Sequence, residues 1–312
     1  MSAQALDVQP DRRKFIGGSD VAAILGVSPW KTLVQLWADK TRAPSDEPAR
    51  PRKQLLRGKR WEAVVSEMLV ESLKQEGMDV EVVAANRRYV DAQHPMFACE
   101  IDFELRLNGA EDVTNCELKT VHPFKAKEWG DQGTDEVPVW YTAQAMWGLG
   151  ITGRDSCIVA ALFGADELKP YLIERDDALI AAMRAKALAF WNNHVLTGIA
   201  PDPLTLTDVN MLFAKDGEAP ALIADEDLTE KYLRLRAIEH EIKARQAEYA
   251  LLEFDVKRIM RDCTEVVVGD KVGFVWKNRA TSWLDQSALK EHDPKLVKAF
   301  TRKGTARVFT VK

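Results

Sequence analysis

The chain has 312 residues, of which 46% are hydrophobic and 29% are charged, and its formal net charge is -5. This balance is typical of a globular protein and excludes an intrinsically disordered or collagen-like chain. No stretch approaches the roughly 20 apolar residues that cross a bilayer, so a membrane-spanning helix is excluded. The polar first ten residues lack an apolar signal core, and the four cysteines form no C-x-x-C pair. We therefore expect a protein that is not secreted and keeps its thiols reduced.

The acidic balance argues against non-specific binding of nucleic acid, but the positive charges are clustered. Six cations and no acid lie in 50–60, and Arg12, Arg13 and Lys14 form a second cluster. A protein that holds a phosphate backbone in one groove needs such local basic patches. A solvated loop of positive charge remains the alternative for each cluster taken alone.

The first two hundred residues alternate between helical and strand patterns. Capping residues, glycine stops and apolar spacing predict helices at 19–25, 28–37, 54–75, 139–149 and 176–195. Alternating patterns predict strands at 80–90, 98–107, 113–120, 156–163 and 168–174, and Asn108-Gly109 indicates a hairpin between the second and the third. This order predicts an α/β fold in which helices pack on a sheet.

The composition changes after Gly198. Residues 201–220 are typical of a linker, and a heptad pattern from Leu228 predicts a helix of about 35 residues with a coiled-coil-like stripe. That stripe could pack on its own domain or join another chain. The tail then predicts a β-hairpin at 266–276, a short helix at 287–292 and a last strand at 307–311.

Two acids and a lysine stand on neighbouring predicted strands. Asp102 and Glu117 can lie side by side in an antiparallel pair, and Glu117 and Lys119, two residues apart, leave the same face of their strand. Hard oxygen ligands at this spacing suit Mg²⁺ or Mn²⁺, and the lysine can position or deprotonate an attacking water. An E-x-K spacing is weak evidence alone, because Glu241 and Lys243 repeat it on the predicted long helix. A surface salt bridge is therefore the alternative reading.

Three further features could complete such a site. Glu62 lies on the predicted helix before the first strand, after a run of cations. Gln144 lies on the predicted helix that follows the strand of Glu117 and Lys119. Two glycines at 17–18 precede a helix start near Ser19, where backbone N–H groups and the helix dipole favour an anion. Arg12 and Ser19 would add charge-assisted contacts to a phosphate there. Ordinary helix residues and a simple turn are the alternatives.

Five sequence pieces in this order resemble the YqaJ-like viral recombinase family, relatives of the phage lambda exonuclease within the PD-(D/E)xK nuclease superfamily. The pieces are Arg12 with Ile16-Gly17-Gly18-Ser19-Asp20, Gly58-Lys59-Arg60-Trp61-Glu62, Ala98-Cys99-Glu100-Ile101-Asp102, Glu117-Leu118-Lys119 and Tyr141-Thr142-Ala143-Gln144. The proline that names the superfamily is absent, because Ile101 precedes Asp102. The likeness implies a restriction-endonuclease-like α/β core, a central mixed sheet flanked by helices, with a long helix and a small β extension at the C-terminal end.

The resemblance also implies a role for each matching residue. Asp102, Glu117 and the Leu118 carbonyl would hold Mg²⁺ or Mn²⁺, and Glu62 would reach the metal directly or through water. Lys119 would orient the nucleophilic water, and Gln144 would assist at the scissile phosphate. Arg12 and Ser19, with Tyr141 from the last motif, would bind DNA and its 5′ phosphate.

By the same resemblance, the expected function is Mg²⁺-dependent 5′-to-3′ exonuclease action on double-stranded DNA ends, leaving 3′ single strands for phage recombination. The expected partners are a single-strand annealing protein and further copies of the chain, with a ring trimer as one arrangement, in the bacterial host cytoplasm. The expected division is a nuclease core at 1–200, a linker at 201–227 and an extension at 228–312. An endonuclease of restriction or repair type, or a non-catalytic DNA-binding protein, are the alternatives.

Overall fold

The computed structural model describes residues 4–5, 11–42, 53–217, 219–302, 304 and 306–312. Backbone contacts divide the chain into two compact units, Met1–Leu212 and Phe213–Lys312. The basic residues Arg50 and Arg52 of the cluster at 50–60 lie outside the described residues. The first unit extends past the expected core boundary near residue 200 and includes a helix that the sequence pattern missed. The division into a nuclease core, a linker and an extension stays a prediction.

The first unit contains six strands and six α-helices among its described residues. The strands are β1 (Gln4–Ala5), β2 (Val80–Val90), β3 (Ala98–Leu107), β4 (Thr114–Val121), β5 (Ser156–Phe163) and β6 (Glu167–Glu174). The helices are α1 (Gly18–Ile24), α2 (Leu33–Thr41), α3 (Lys53–Gln75), α4 (Val139–Thr152), α5 (Asp177–Phe190) and α6 (Leu206–Leu212). Short 3-10 turns lie at Arg12–Lys14 and Pro123–Glu128, and a π-turn at Trp191–Val195 extends α5.

The strands form one mixed sheet in the order β1-β2-β3-β4-β5-β6. Neighbours are antiparallel except β4 and β5, which are parallel and are connected by a crossover through α4. This is the α/β arrangement that the sequence predicts, with helices against a central mixed sheet. The crossover is the βαβ connection that parallel strands require.

The two faces of the sheet carry separate apolar cores. Strand β5 alternates between them: Cys157, Val159 and Ala161 face one core, and Ile158 and Ala160 face the other. The first core receives side chains from α1, α2, α4 and α5, whereas the second receives Val65, Leu69 and Leu73 from α3. Burial on both faces explains why β5 is a continuous apolar run.

Most element predictions for the first unit are confirmed, and the helix starts need correction. Helix α1 begins at Gly18 with Gly17 as its N-cap, because Asp20 bonds back to the Gly17 N–H. Helix α2 begins at Leu33, since Thr32 and Gln35 form a capping box there. Helix α6 falls within the segment that the sequence suggests is a linker. It is tied to α2 by a hydrogen bond of 2.5 Å from Thr32 Oγ1 to Asp208 Oδ1.

The second unit contains one long helix followed by small elements. They are α7 (Glu226–Met260), a hairpin of β7 (Glu265–Val268) and β8 (Lys271–Val275), α8 (Gln286–His292) and α9 (Pro294–Phe300). The 35-residue helix and the hairpin agree with the sequence patterns. The strand predicted at 307–311 is wrong, because those residues have no regular structure, and α9 was missed. Leu228, Leu235, Ile242 and Tyr249 of the heptad column are exposed.

Candidate active site

The two predicted site strands separate at Asp102. The ladder between β3 and β4 runs from Leu105↔Thr114 to Phe103↔Cys116 and goes no further. Beyond it, Asp102 Oδ2 accepts a hydrogen bond of 2.9 Å from the Leu118 backbone N–H, in place of a backbone partner. The alternation of β3 also changes phase there, since Ile101 packs in the first core and Phe103 in the second. A carboxylate is thereby held at the point where the sheet opens.

Glu117 is buried and closely surrounded by donors. Its side chain is 6% exposed, and Lys119 Nζ and Gln144 Nε2 both donate to its Oε1 atom. Strand β4 supplies Glu117 and Lys119 from one face, and α4 brings Gln144 over that face. Burial and the nearby charge of Asp102 raise the pKa of Glu117 to about 8, although Lys119 acts in the opposite direction.

Lys119 lies between this carboxylate and an aromatic ring. Its Nζ atom is 5.3 Å from the centroid of the Tyr141 ring, a cation–π contact. Burial opposes the charged form of Lys119, but the charges of Glu117 and Asp102 outweigh it and raise the lysine pKa. The amine is therefore a cation in this arrangement.

Asp102, Glu117 and Gln144 border a cavity of about 550 Å³. Glu62 reaches it from α3, and burial followed by the charge of Asp102 raises the pKa of this carboxyl group. Carboxylates thus approach one space from a helix and from two strands. The other predicted residues that line the cavity are Arg12 and Ser19.

The cavity wall near Arg12, Ser19 and Arg88 carries positive charge and is called here the cationic end, whereas the wall near Asp102 and Glu117 is called the acidic end. Arg12 Nη2 donates to Ser19 Oγ at 2.9 Å and lies 3.6 Å from Asp20 Oδ1. Lys40 Nζ, almost completely buried, donates to Asp20 Oδ2 at 2.7 Å and to the carbonyl oxygens of Arg12 at 2.8 Å and Phe15 at 2.6 Å. Lys40 therefore fixes the backbone that carries Arg12.

The pKa of Asp20 moves in the direction expected of a paired charge, whereas the pKa of Lys40 moves in the direction expected of a buried one. Burial alone would raise the pKa of Asp20, but the charges of Lys40 and Arg12 outweigh it, and the pKa lies below the ordinary 3.8. Burial lowers the pKa of Lys40 in spite of its contact with Asp20.

No role at the site was predicted for Lys40, Arg88 or Lys59. Arg88 and Lys59 line the cavity, and the Arg88 guanidinium stacks on the Phe15 ring at 4.5 Å. Lys59 belongs to the noted basic cluster, which was the available signal. Neither Lys40 nor Arg88 belongs to a local sequence motif, because their partners are distant in sequence.

The predicted residues fall into three groups. Arg12, Ser19, Glu62, Asp102, Glu117 and Gln144 share the cavity. Lys119 and Tyr141 lie directly beside it and contact each other, so Tyr141 is next to the lysine rather than next to Arg12 and Ser19. The side chain of Leu118 packs in the second core, on the other face of the sheet. The catalytic and binding roles of these residues stay predictions.

The donor chemistry of this end of the cavity fits a hard divalent cation. Carboxylates of Asp102, Glu117 and Glu62 supply the oxygen ligands that Mg²⁺ and Mn²⁺ prefer. Within the part of the chain that the structure describes, no three His, Cys, Asp or Glu side chains are gathered closely enough to hold an ion as they stand. Lys119, Gln144 and the Leu118 N–H now occupy oxygens that an ion would use.

Comparison with known proteins identifies this part of the chain. Residues 8–155 match the model of the YqaJ-like viral recombinase domain. This segment is a YqaJ-like viral recombinase domain. The match spans every predicted site residue, from Arg12 to Gln144. The resemblance in the sequence motifs is thereby confirmed.

Two known proteins extend the comparison of the recombinase domain and its extension. The uncharacterized protein YqaJ of Bacillus subtilis is 27% identical over 311 residues, covering 97% of this chain and 92% of that protein. The crystal structure of an alkaline exonuclease from Laribacter hongkongensis matches with a TM-score of 0.43 and 17% identity, covering 60% of this chain and 91% of that chain. The same enzyme in complex with dAMP matches with a TM-score of 0.43 and 18% identity over the same shares.

None of the helices within the described residues is both long and apolar enough to cross a membrane.

Proposed function

We propose that this chain is a Mg²⁺-dependent 5′-to-3′ exonuclease that acts on double-stranded DNA ends during phage recombination and leaves 3′ single strands. One observation carries the proposal: in a recombinase domain, two strand carboxylates, one of them bonded to an amine, line a cavity whose wall also carries Arg12, Lys59 and Arg88. A cationic end suits a phosphate, and an acidic end suits the hydrolysis of a phosphodiester.

The acids would hold the metal. Asp102 and Glu117, with the Leu118 carbonyl, are the proposed ligands, and Glu62 would reach the ion directly or through water. Bound Mg²⁺ or Mn²⁺ would neutralise charge on the phosphate and on the leaving oxygen.

The remaining polar groups would prepare the nucleophile. Lys119, a cation beside Glu117, would donate a hydrogen bond that holds a water in line with the phosphorus. A neighbouring carboxylate would accept the proton of that water as it attacks. Gln144 would keep Glu117 in place and contact a phosphate oxygen. Tyr141 would limit the movement of the Lys119 amine through the cation–π contact.

Arg12 and Ser19 support the proposed 5′-to-3′ direction of hydrolysis. Their hydrogen bond makes a donor pair at the cationic end, where a terminal 5′ phosphate would bind. An end fixed there would present the next phosphodiester to the acids, so hydrolysis would proceed from the 5′ end.

Partners and domain roles belong to the same proposal. DNA ends would be the substrate, a single-strand annealing protein would receive the product, and further copies of the chain would associate, with a ring trimer as one arrangement. The nuclease core would span 1–200 and the linker 201–227. The extension at 228–312 would serve assembly, partner binding or bracing.

Incubation of three duplexes with and without Mg²⁺ tests the activity: a 5′-phosphorylated linear duplex, its 5′-hydroxyl form and a covalently closed circle. We expect nucleotides to be released from the phosphorylated linear duplex, with a label lost first from the 5′ end. Rapid cutting of the circle would instead favour an endonuclease, and DNA binding without cleavage would favour a non-catalytic protein.

Two substitutions test the site. Glu117→Ala and Lys119→Ala should each reduce the rate by about 10²–10⁴-fold. The chain offers a matched control, because Glu241 and Lys243 repeat the same spacing on the exposed surface of α7. Glu241→Ala and Lys243→Ala should leave the rate unchanged, and full activity of the β4 variants would contradict the proposed site.

A further inference from the structure

An exposed tryptophan stands on the loop between α1 and α2. Trp30 is 58% exposed, and among the described residues of the first unit only Trp30 and Phe124 are exposed aromatic side chains. Neither the sequence motifs nor the proposed hydrolysis uses this indole. A large apolar ring in water is unfavourable by itself, so its position calls for an explanation.

The loop that carries Trp30 is fixed at both ends. The Val27 and Ser28 N–H groups donate to the Ala22 carbonyl at 2.9 and 3.1 Å, which closes the end of α1. Ser28 Oγ then accepts from the N–H groups of Trp30 at 3.3 Å and Lys31 at 3.2 Å. The capping box at Thr32 fixes the start of α2. The indole is therefore held in position before any ligand binds.

Trp30 is the outer end of an aromatic series that begins at the acidic end of the cavity. Its ring centroid lies 6.1 Å from that of Tyr141, whose ring contacts Lys119 Nζ at 5.3 Å. Its centroid is also 5.6 Å from that of Trp140, at an interplanar angle of 76°. The edge-to-face contact with Trp140 supports one side of the indole, and over half of its surface stays accessible. The rings thus connect the proposed reaction centre to solvent.

We propose that Trp30, supported by Trp140 and Tyr141, forms a stacking platform for an unpaired nucleobase of the DNA strand that leaves or enters the cavity. The inference rests on the proposed nuclease function and adds a binding site for the base, separate from the groups that bind phosphate. A flat, rigid aromatic surface suits this ligand because every nucleobase has a π-face, so stacking tolerates any sequence. An exonuclease that removes successive nucleotides needs such tolerance.

Equilibrium binding in EDTA tests the platform without turnover. The probe is a fluorescent single-stranded oligothymidylate, and the matched probe is an abasic strand of equal length and charge. Trp30→Ala should weaken binding of oligothymidylate by about 5- to 150-fold, the range for loss of one stacked base. The same variant should leave binding of the abasic strand unchanged. An equal loss on both strands would overturn the proposal, because the loss would not depend on a base.

Two further variants separate stacking from folding and from apolar bulk. Trp30→Phe should keep most of the affinity, whereas Trp30→Leu, which is apolar but cannot stack, should resemble Trp30→Ala. Trp283→Ala removes another exposed tryptophan, in the second unit, and should bind as the native chain does. Equal affinities for Trp30→Leu and Trp30→Phe would overturn the platform, as would an equal loss in Trp283→Ala. Urea unfolding of each variant identifies any loss of affinity caused by misfolding.

The outcome is separable from that of the nuclease proposal. Base-dependent binding at Trp30 with no hydrolysis under any metal would contradict the exonuclease and keep the platform. Hydrolysis with binding that is insensitive to Trp30, or a native chain that binds neither strand, would contradict the platform.

Discussion

The two ends of the cavity bury charge in opposite ways. At the cationic end, Asp20 is buried opposite Lys40, and its pKa lies below the ordinary value because the charges of Lys40 and Arg12 outweigh burial. At the acidic end, Glu117 also has a lysine partner, yet burial and the charge of Asp102 raise its pKa to about 8. One carboxylate is stabilised by its surroundings, and the other is crowded by a second acid.

This difference separates a structural ion pair from a reaction centre. The Asp20–Lys40 pair connects α1, α2 and the Arg12 backbone, and every contact of the Lys40 ammonium is made within the fold. Perturbed acids that crowd one another are typical of sites that bind cations or move protons. The cationic end should therefore lose stability when its charges are removed, whereas the acidic end should lose activity.

The largest effect is expected from Lys40→Met. Without the ammonium, Asp20 remains buried with its main partner missing, and the carbonyl groups of Arg12 and Phe15 lose a donor. Breaking a buried pair costs about 3–5 kcal/mol, so the free energy of unfolding in urea should fall by that amount. Lys31→Met is the matched control, because its partner Asp39 is well exposed and such a pair contributes about 0–1 kcal/mol.

A double-mutant cycle with Asp20→Asn sharpens this test. Adding Asp20→Asn to Lys40→Met should recover part of the lost stability, since the unpaired charge is then removed. Equal, small losses for Lys40→Met and Lys31→Met would show that the two ends do not differ in the way described.

The two ends should also respond to pH with opposite sign. The pKa of Glu117 is raised from 4.5, so its contribution to stability is present below 4.5 and is lost as pH rises through about 8. The pKa of Asp20 is lowered from 3.8, so its contribution is present above 3.8 and is lost as pH falls further.

The variant Glu117→Gln tests the pKa of this carboxyl group when its stability is measured in EDTA, so that no metal is bound. The variant should be more stable than the native chain at about pH 9, by about 1–3 kcal/mol, with the advantage shrinking toward about pH 5. Urea unfolding at both pH values measures it. A native chain that gains stability relative to Glu117→Gln as pH rises would contradict the raised pKa.

The smallest change in stability is expected from Gly18→Ala, a substitution at the start of helix α1 and beside Gln144. A Cβ atom on Gly18 would lie 3.1 Å from Gln144 Cγ, so this side chain must shift by a few tenths of an ångström. The free energy of unfolding should change by less than about 1 kcal/mol, because the helix propensity of alanine offsets the cost of this shift. Nuclease activity should fall on the order of 10-fold, because Gln144 contacts Glu117.

Gly58→Ala is the matched control for this substitution. A Cβ atom on Gly58, within helix α3, would meet nothing within 4 Å. Its activity should equal that of the native chain, and its stability should rise slightly. Equal activity of both alanine variants would mean that the spacing of α1 and α4 does not control Gln144.

Local patterns determined how much could be predicted from the sequence. Helix α3 was predicted within one residue because its apolar spacing is regular. Strands β2, β3 and β5 were predicted to the residue, β5 because a continuous apolar run marks a strand buried on both faces. The strand at 307–311 has the same kind of pattern but is not a strand, because a strand also needs a neighbouring strand, which its own residues cannot reveal. Helices α6 and α9, each of seven residues, are too short for a periodic signal, and neither has the glycine stop that marked the equally short α1.

The site was predictable on the same basis, because local patterns reveal neighbours within an element and not contacts between distant residues. The proximity of Glu117 and Lys119 follows from the period of a strand, and the hairpin brings Asp102 near them. Lys40 was missed because its contacts with Asp20 and Phe15 join residues that lie twenty or more positions apart. Trp30 was predicted as the start of a helix, so its exposure on a fixed loop could not be anticipated.

A further acid of β3 is buried and paired within the fold. Glu104 follows Asp102 by two residues on β3 and has no solvent exposure. Tyr89 donates to its Oε1 at 2.8 Å, and Arg154 donates to its Oε2 at 2.9 Å. Both oxygens are thus saturated by donors that a hydrated divalent ion would have to displace. Asp102 lines the cavity and can meet a cation from solvent, whereas the Arg154 guanidinium keeps Glu104 from doing so.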